Sequence, residues 1–343
     1  MTGGAGFIGS NFILEWMATE NEKVVNLDAL TYAGNISNLE SLLGNELYIF
    51  EQGDICDAGK VADLLTVFRP RAIINFAAES HVDRSIAQPA AFIQTNVVGT
   101  FQLLECSRSY LNSMSAEERT RFRFLHVSTD EVYGTLKVND APFTESHCYS
   151  PNSPYSASKA SADHLVRAYY QTYGLPVMTT NCSNNYGPFQ FPEKLIPLVI
   201  CKALSLDFIP LYGDGQQIRD WLFVGDHCAA IKLVLSKGEI GEVYNIGGRS
   251  EKTNLDLMSL VCDILNEKKP RSDGKRYSDL ITSVDDRPGH DRRYAVDITK
   301  ITRELGWQPR RSLETGIEMT IDWYLANLNW VEKVVSGGHR KSR

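Results

Sequence analysis

The chain has 343 residues, 43% of them hydrophobic, and its 35 basic and 42 acidic side chains leave a net charge of −7. That size predicts about two domains with a sizeable core, and it excludes a disordered chain or a small scaffold stapled by disulfides or metal. The acidic balance argues against nucleic acid as a partner, and seven dispersed cysteines without a CxxC pair read as reduced thiols of a cytoplasmic protein with no metal site.

In chain order, β-branched or apolar runs at 23–27, 47–52, 72–76, 122–128, 177–182 and 243–246 are the expected strands. Segments with helical spacing at 8–19, 61–68, 96–110 and 154–173 lie between them. The alternation predicts an α/β fold, a Rossmann-type doubly wound parallel sheet wrapped by helices. After Gly187 it is broken by Pro188, Pro192, Pro197, Pro210 and Gly213-Asp214-Gly215, which marks a smaller, mixed α/β substrate-binding domain. The expected partition is 1–185, with roughly 217–247 returning to it, against 186–216 and 248–343. The second region holds helical segments at 254–267 and 313–327, a basic loop at 286–293, and a basic tail at 337–343 that is expected to fray. The longest apolar stretch, 195–206, is interrupted by Pro197 and Lys202 and is too short to span a bilayer. With no signal-like amino terminus either, no membrane partner is expected.

The first segment carries Gly4-x-Gly6-x-x-Gly9 and also Gly3-x-x-Gly6-x-x-Gly9. Glycines so placed allow a tight turn, close backbone approach to a pyrophosphate, and a helix whose first N–H groups face the anion. Asp28 ends the next strand, close to the expected spacing of about 20 residues after the last glycine. It would accept from a ribose 2′-hydroxyl and repel a 2′-phosphate, which favours NAD over NADP. Only Met1 and Thr2 precede Gly3, so the strand that should lead into the fingerprint is expected to be largely missing. Two later strand ends suit the rest of the cofactor. Asp54 can meet the adenine amino group while Ile55 packs on its ring, and Phe76-Ala77-Ala78-Glu79-Ser80 lets the backbone approach the ribose and nicotinamide. Each also fits an ordinary strand-end turn.

Tyr155 and Lys159 stand four apart, behind Ser153 and Pro154 as cap and first helical residue, so they share one helix face. Tyr133 and Lys137 repeat the spacing across Gly134 in a loop and serve as the uninformative copy. A neighbouring ammonium and a positive nicotinamide would lower the Tyr155 phenol toward neutrality and make it a base for a sugar hydroxyl. Ser128-Thr129-Asp130-Glu131 closes the strand at 122–128, at the end where open α/β sheets build their sites. Thr129 can bond the hydroxyl that Tyr155 deprotonates. Asp130 and Glu131, if enclosed together, have pKa values pushed apart, one acid and one base, as loss of water from a keto sugar requires. The alternative is a solvated acidic turn.

At these residues, and in Ala78-Glu79-Ser80-His81, Asn181-Cys182-Ser183-Asn184-Asn185-Tyr186-Gly187, Pro192-Glu193-Lys194-Leu195, Arg219-Asp220-Trp221 and Asp286-Arg287-Pro288-Gly289-His290, the chain resembles the extended short-chain dehydrogenase/reductase superfamily. Within it the Thr-Asp-Glu step is closest to the dTDP-glucose 4,6-dehydratase family. The resemblance implies NAD that stays bound, and dehydration of dTDP-glucose to the 4-keto-6-deoxy sugar by oxidation at carbon 4, loss of water across carbons 5 and 6, and hydride return to carbon 6. It gives Tyr155, Lys159 and Thr129 to the oxidation, Glu131 to the carbon 5 proton and Asp130 to the leaving hydroxyl. It adds Phe7, Ile8, Ala29, Leu30, Thr31, Thr95 and Asn185 to the cofactor site. Substrate contacts would be Ser80, Asn184, Lys194, Leu195, Pro210, Tyr212, Arg219, Asn254, Asp286, Arg287 and His290. Arginines 219, 287, 292 and 293 with His290 suit a diphosphate; salt bridges to Asp285, Asp286 and Asp291 are the other reading. Apolar surface on 96–110 and 154–173, with the resemblance, implies a homodimer. The segment after Gly134 is shorter than the resemblance leads one to expect, which would shorten a loop over the site. A UDP-sugar dehydratase or 4-epimerase stays open, because one methyl is worth only ~1–3 kcal/mol of discrimination, and so does a non-catalytic NAD-binding regulator.

Overall fold

The computed structural model describes residues 1–286 and 288–336; Arg287 and the tail at 337–343 lie outside the described residues. Eleven strands are described in chain order: β1 (Val24–Asp28), β2 (Tyr48–Gln52), β3 (Ala72–Asn75), β4 (Arg123–Thr129), β5 (Val177–Cys182), β6 (Asn184–Tyr186), β7 (Ile209–Tyr212), β8 (Ile218–Phe223), β9 (Val243–Ile246), β10 (Glu251–Thr253) and β11 (Ile281–Val284). β1 pairs with β2, and β3, β4, β5 and β9 pair in that order, all parallel. Thr2 joins the two sets by parallel bridges to Leu27 and Asn75. Its N–H donates to Ile74 O at 3.0 Å and its carbonyl accepts from Phe76 N at 3.1 Å, while Met1 O accepts from Leu27 N at 2.9 Å. The lead-in to the glycine loop is therefore a two-residue bridge rather than a strand. Next to it lies a cavity of about 360 Å³ walled by Met1, Val24, Val25, Ile73 and Ile74 among others.

Both faces of this sheet are covered, which is why its strands read as near-continuous apolar runs. Helices Phe7–Thr19 and Val224–Lys237 cover one face through Phe12, Ile13, Ile231 and Val234. Helices Ala58–Phe68, Thr100–Asn112 and Pro154–Tyr173 cover the other through Val61, Leu65, Leu103, Leu104 and Val166. A second core gathers Ile200, Val261 and Ile317 from helices Leu195–Leu204, Asn254–Lys268 and Leu313–Ala326. Beside it β7 pairs with β11, while β8 lies between β6 and β10.

Three local features add to the sequence reading, and the second corrects it. The stretch at 195–206 forms a helix whose Pro197 sits in the first turn, where its missing N–H costs nothing. The expected helix at 96–110 starts as a π-helical turn, Ile93–Gly99, and becomes α-helical at Thr100. Residues 135–150 pack back on the 293–295 segment: Leu136 N donates to Arg293 O and Phe143 N to Ala295 O, each at 2.9 Å.

Candidate active site

The first wall of the main cleft is the glycine loop. Gly3 has a φ of +69°, and a Cβ there would lie 2.6 Å from Ala77 N; a Cβ on Gly9 would lie 2.5 Å from Gly3 O. Only glycine permits this packing. Helix Phe7–Thr19 starts at Gly6 with no side-chain cap and no acid in its first turn. Its orphan N–H groups thus meet a cavity of about 290 Å³ lined by Gly3, Gly6, Phe7, Ile8 and Gly9. This uncapped, glycine-lined cradle fits a pyrophosphate. Asp28 is buried beside it, accepting from Ala5 N at 2.8 Å and Leu30 N at 2.7 Å, and burial raises its pKa. Ala29, Thr31, Asp54, Ile55, Phe76, Ala77, Ala78, Ser80, Thr95 and Asn185 line the same cavity; Leu30 does not, and touches the site through its bond to Asp28.

Thr129, Asp130, Glu131, Tyr155 and Lys159 line the other end of this cavity. Ser153 caps the helix that carries Tyr155 and Lys159, and Pro154 opens it. Lys159 is buried and gives its Nζ proton to Val127 O at 2.8 Å. Burial pushes the Tyr155 phenol well above its usual value; the Glu131 charge adds to this and the Thr129 hydroxyl offsets part of it. The expected lowering is thus reversed in the protein alone, chiefly by burial, with the Glu131 and Asp130 carboxyls adding to it. Asp130 is only 1% exposed; burial first and Glu131 second push its pKa well above the carboxylate range, and its Oδ2 has no hydrogen-bond partner. The pair is therefore an enclosed acid beside a second carboxyl, not a solvated turn.

Ser80, Asn184 and Lys194 also line the cavity; Lys194 Nζ donates to Ser80 O at 2.9 Å, and Asn184 Oδ1 is buried without a hydrogen bond. Leu195 follows as the first residue of its helix. Pro210, Tyr212, Arg219, Asn254, Asp286 and His290 lie outside that wall, and Asn254, Asp286 and His290 are linked through Gln217. Asn254 N donates to Gln217 O, the Gln217 amide donates to Asp286, and His290 Nδ1 lies 2.6 Å from Asp286 Oδ1. Arg219 links the two ends: it is buried, donates to Asp291 O at 2.9 Å, and its charge reaches Asp130. Arg292 and Arg293 are ion-paired to Asp214 and Glu251, so the salt-bridge reading holds for them with different partners. Arg287 lies outside the described residues.

Sequence reasoning missed several neighbours. Asn96 fastens Glu79 through both main-chain groups and also donates to Ser158, and its position in the π-helical turn is the only signal that marks it. Tyr294 lies under the Arg219 guanidinium at 4.4 Å and feels the Glu131 charge. Cys182, whose thiol burial raises to about 12, lines the cavity near Tyr155.

Comparison with known proteins adds the following. A family profile described as GDP-mannose 4,6 dehydratase matches residues 1–320. The dTDP-glucose 4,6-dehydratase of Xanthomonas campestris pv. campestris strain B100 is 60% identical over 343 residues, covering 100% of this chain and 97% of that protein. The Escherichia coli K12 protein named dTDP-glucose 4,6-dehydratase 1 is 53% identical over 348 residues, covering 99% and 96%. A crystal structure of the Bacillus anthracis dTDP-glucose 4,6-dehydratase in complex with NAD superposes with a TM-score of 0.85 at 45% identity, covering 97% of this chain and 98% of that one. The Thermotoga maritima UDP-glucose 4-epimerase with UDP-glucose gives 0.84 at 29% identity, covering 95% and 98%.

Proposed function

We infer the residue roles from the premise that the chain belongs to the dTDP-glucose 4,6-dehydratases of the extended short-chain dehydrogenase/reductase superfamily. It is an NAD-dependent hydro-lyase that converts dTDP-glucose to dTDP-4-keto-6-deoxyglucose. The observation that carries the roles is the buried Asp130 with Glu131 and Tyr155 in one cavity, whose far end is the glycine cradle.

When bound, with Gly3, Gly6 and Gly9 against its pyrophosphate and Asp28 at its ribose, NAD⁺ would accept hydride from sugar carbon 4 and, as NADH, would supply it to carbon 6. Tyr155 takes the proton of the 4-hydroxyl, which Thr129 also holds. The ketone at carbon 4 acidifies carbon 5, and Glu131 removes that proton. Asp130, kept protonated by burial, gives its proton to the departing 6-hydroxyl, so water and not hydroxide leaves. Glu131 returns a proton to carbon 5, and the proton taken by Tyr155 balances the one Asp130 gives up. The remaining lining residues hold cofactor and sugar as the sequence expectation set out. The diphosphate lies along Lys194, Arg219 and the 286–290 loop.

A homodimer is supported by Ile93, Phe101 and Tyr173, large apolar side chains left exposed on the 93–112 and 154–173 helices. A cytoplasmic location accords with the reduced cysteines; no described helix is long and apolar enough to cross a membrane. The test of function is incubation in deuterated water with dTDP-glucose labelled at carbon 4. Water loss, label on carbon 6 and solvent deuterium on carbon 5 are expected; unchanged mass with inverted carbon 4 refutes the reading in favour of epimerisation.

A further inference from the structure

Tyr155, Lys159 and Asp163 follow one another at four-residue steps along helix Pro154–Tyr173, so they stack on one face. The first two have roles above; the third is buried and has none. Three consecutive residues of β4 meet this face. Val127 O accepts from Lys159 Nζ at 2.8 Å, Ser128 Oγ donates to Asp163 Oδ2 at 2.9 Å, and His126 Nε2 lies 3.3 Å from Asp163 Oδ1, off the ideal hydrogen-bond line.

The ring of His126 is oriented from behind. Thr2 Oγ1 donates to Asn75 Oδ1 at 2.6 Å, so the Asn75 amide nitrogen is the group that faces His126 Nδ1 at 3.2 Å. An amide nitrogen only donates, so Nδ1 accepts and the imidazole proton sits on Nε2, the atom turned to Asp163. Burial and the Lys159 charge keep this histidine neutral. Behind Thr2 stands Ala77, whose N–H donates to Thr2 Oγ1 at 3.4 Å and which lines the cofactor cavity. A chain of buried dipoles thus runs from the cofactor wall to His126, whose Nε2 faces the Asp163 carboxyl at 3.3 Å. Tyr149 adds a hydroxyl from the far side and Tyr133 packs against Tyr149. Cys182 of β5 and His164, the latter against Tyr149, complete the titratable groups around the cluster.

A fully buried ammonium without a counter-charge loses its proton readily. Of the charges around Lys159, Asp163 is the one that supports its ammonium most. We propose that Asp163 is a positioning residue for the oxidation step: held by the Ser128 hydroxyl and faced by His126, its side chain keeps Lys159 an ammonium beside Tyr155. This rests on the assignment of Tyr155 as the base for the 4-hydroxyl. The helix carries a Tyr-Lys-Asp unit in which the acid acts only through the lysine.

Two pH titrations of the NAD-loaded protein test it. One follows the phenolate absorbance of Tyr155 without substrate, as the difference between each protein and the same protein carrying Tyr155→Phe. The other follows single-turnover oxidation at carbon 4. Asp163→Asn is expected to move both midpoints up by about one pH unit and to slow oxidation at neutral pH about 10-fold, with KM changed less than about 2-fold. Ser128→Ala, which removes one donor from the carboxylate, is expected to move them the same way by less, and it decides the matter if Asp163→Asn does not fold. Midpoints that stay in place or fall overturn the proposal. Wild-type protein that never oxidises the sugar overturns the dehydratase reading, and the proposal with it.

Discussion

Asp130→Asn is expected to make the protein more stable and far less active. Asp130 is buried, its Oδ2 has no hydrogen bond, and its Oδ1 is 3.3 Å from the Thr129 hydroxyl, a bond that an amide oxygen keeps. A carboxyl whose folded pKa lies above its unfolded value contributes stability in full below the unfolded value and loses it as pH rises through the folded one. Asparagine never ionises and escapes that loss. At neutral pH the variant therefore gains about 1.4 kcal/mol for each unit of raised pKa that lies below the assay pH, and the gap closes as pH falls toward about 4. Dehydration loses its general acid and slows by about 10² to 10⁴-fold, while oxidation at carbon 4 survives. Urea denaturation across pH at fixed NAD, with water loss read by mass, measures both. A variant less stable than wild type at neutral pH, a gap that ignores pH, or dehydration near the wild-type rate refutes the assignment.

Other substitutions probe the remaining parts of the site and fold. Gly9→Ala puts a methyl 2.5 Å from Gly3 O and 2.7 Å from Gly4 Cα, both backbone atoms. The strain of about 1–3 kcal/mol falls on the cradle, so NAD titration should show about 5 to 150-fold weaker binding, and unchanged affinity would place the pyrophosphate elsewhere. Glu131→Gln is expected to oxidise carbon 4 yet release no water; wild-type water loss would remove Glu131 as the base. Asp226 is 2% exposed and accepts from Arg310 N, Arg311 N and the Arg311 guanidinium, fastening the 310–311 turn to helix Val224–Lys237. Asp226→Asn should cost about 2–3 kcal/mol in urea denaturation, less than a fully buried pair because Arg311 is partly exposed, and a loss below about 0.5 kcal/mol would show that the turn is held by other contacts.

The main sheet was readable because its strands are short runs rich in β-branched and apolar residues: β5 and β9 fall where the sequence places them, as does helix Pro154–Tyr173 between Ser153 and Gly174. β6, β8 and β10 escaped for a physical reason. Asn184-Asn185-Tyr186 and Glu251-Lys252-Thr253 are three-residue polar segments, and Ile218-Arg219-Asp220-Trp221-Leu222-Phe223 buries an arginine and an aspartate that no propensity admits to a strand. Asp220 is tolerated there because Gly248 and Ser250 donate main-chain N–H groups to it, partners that the sequence does not place nearby.

The same contrast runs through the site. Gly3 to Gly9, Thr129 to Glu131 and Tyr155 with Lys159 are local patterns whose chemistry depends on neighbours within a few residues, so spacing alone exposes them. What tunes them is not local. Asp130 becomes an acid because the fold buries it; Glu131 and then Asp220 of β8 add to the shift, and Arg219 of the same strand offsets part of it. Tyr155 is raised, not lowered, because the fold buries it beside Glu131. The chain from Ala77 through Thr2, Asn75 and His126 to Asp163 draws on the Thr2 bridge, the end of β3, the middle of β4 and a helix; no member stands out within its own stretch of sequence. The parallel pairing of β3 with β4 sets Asn75 against His126 behind the lysine, so the candidate catalytic residues were legible and the groups around them were not.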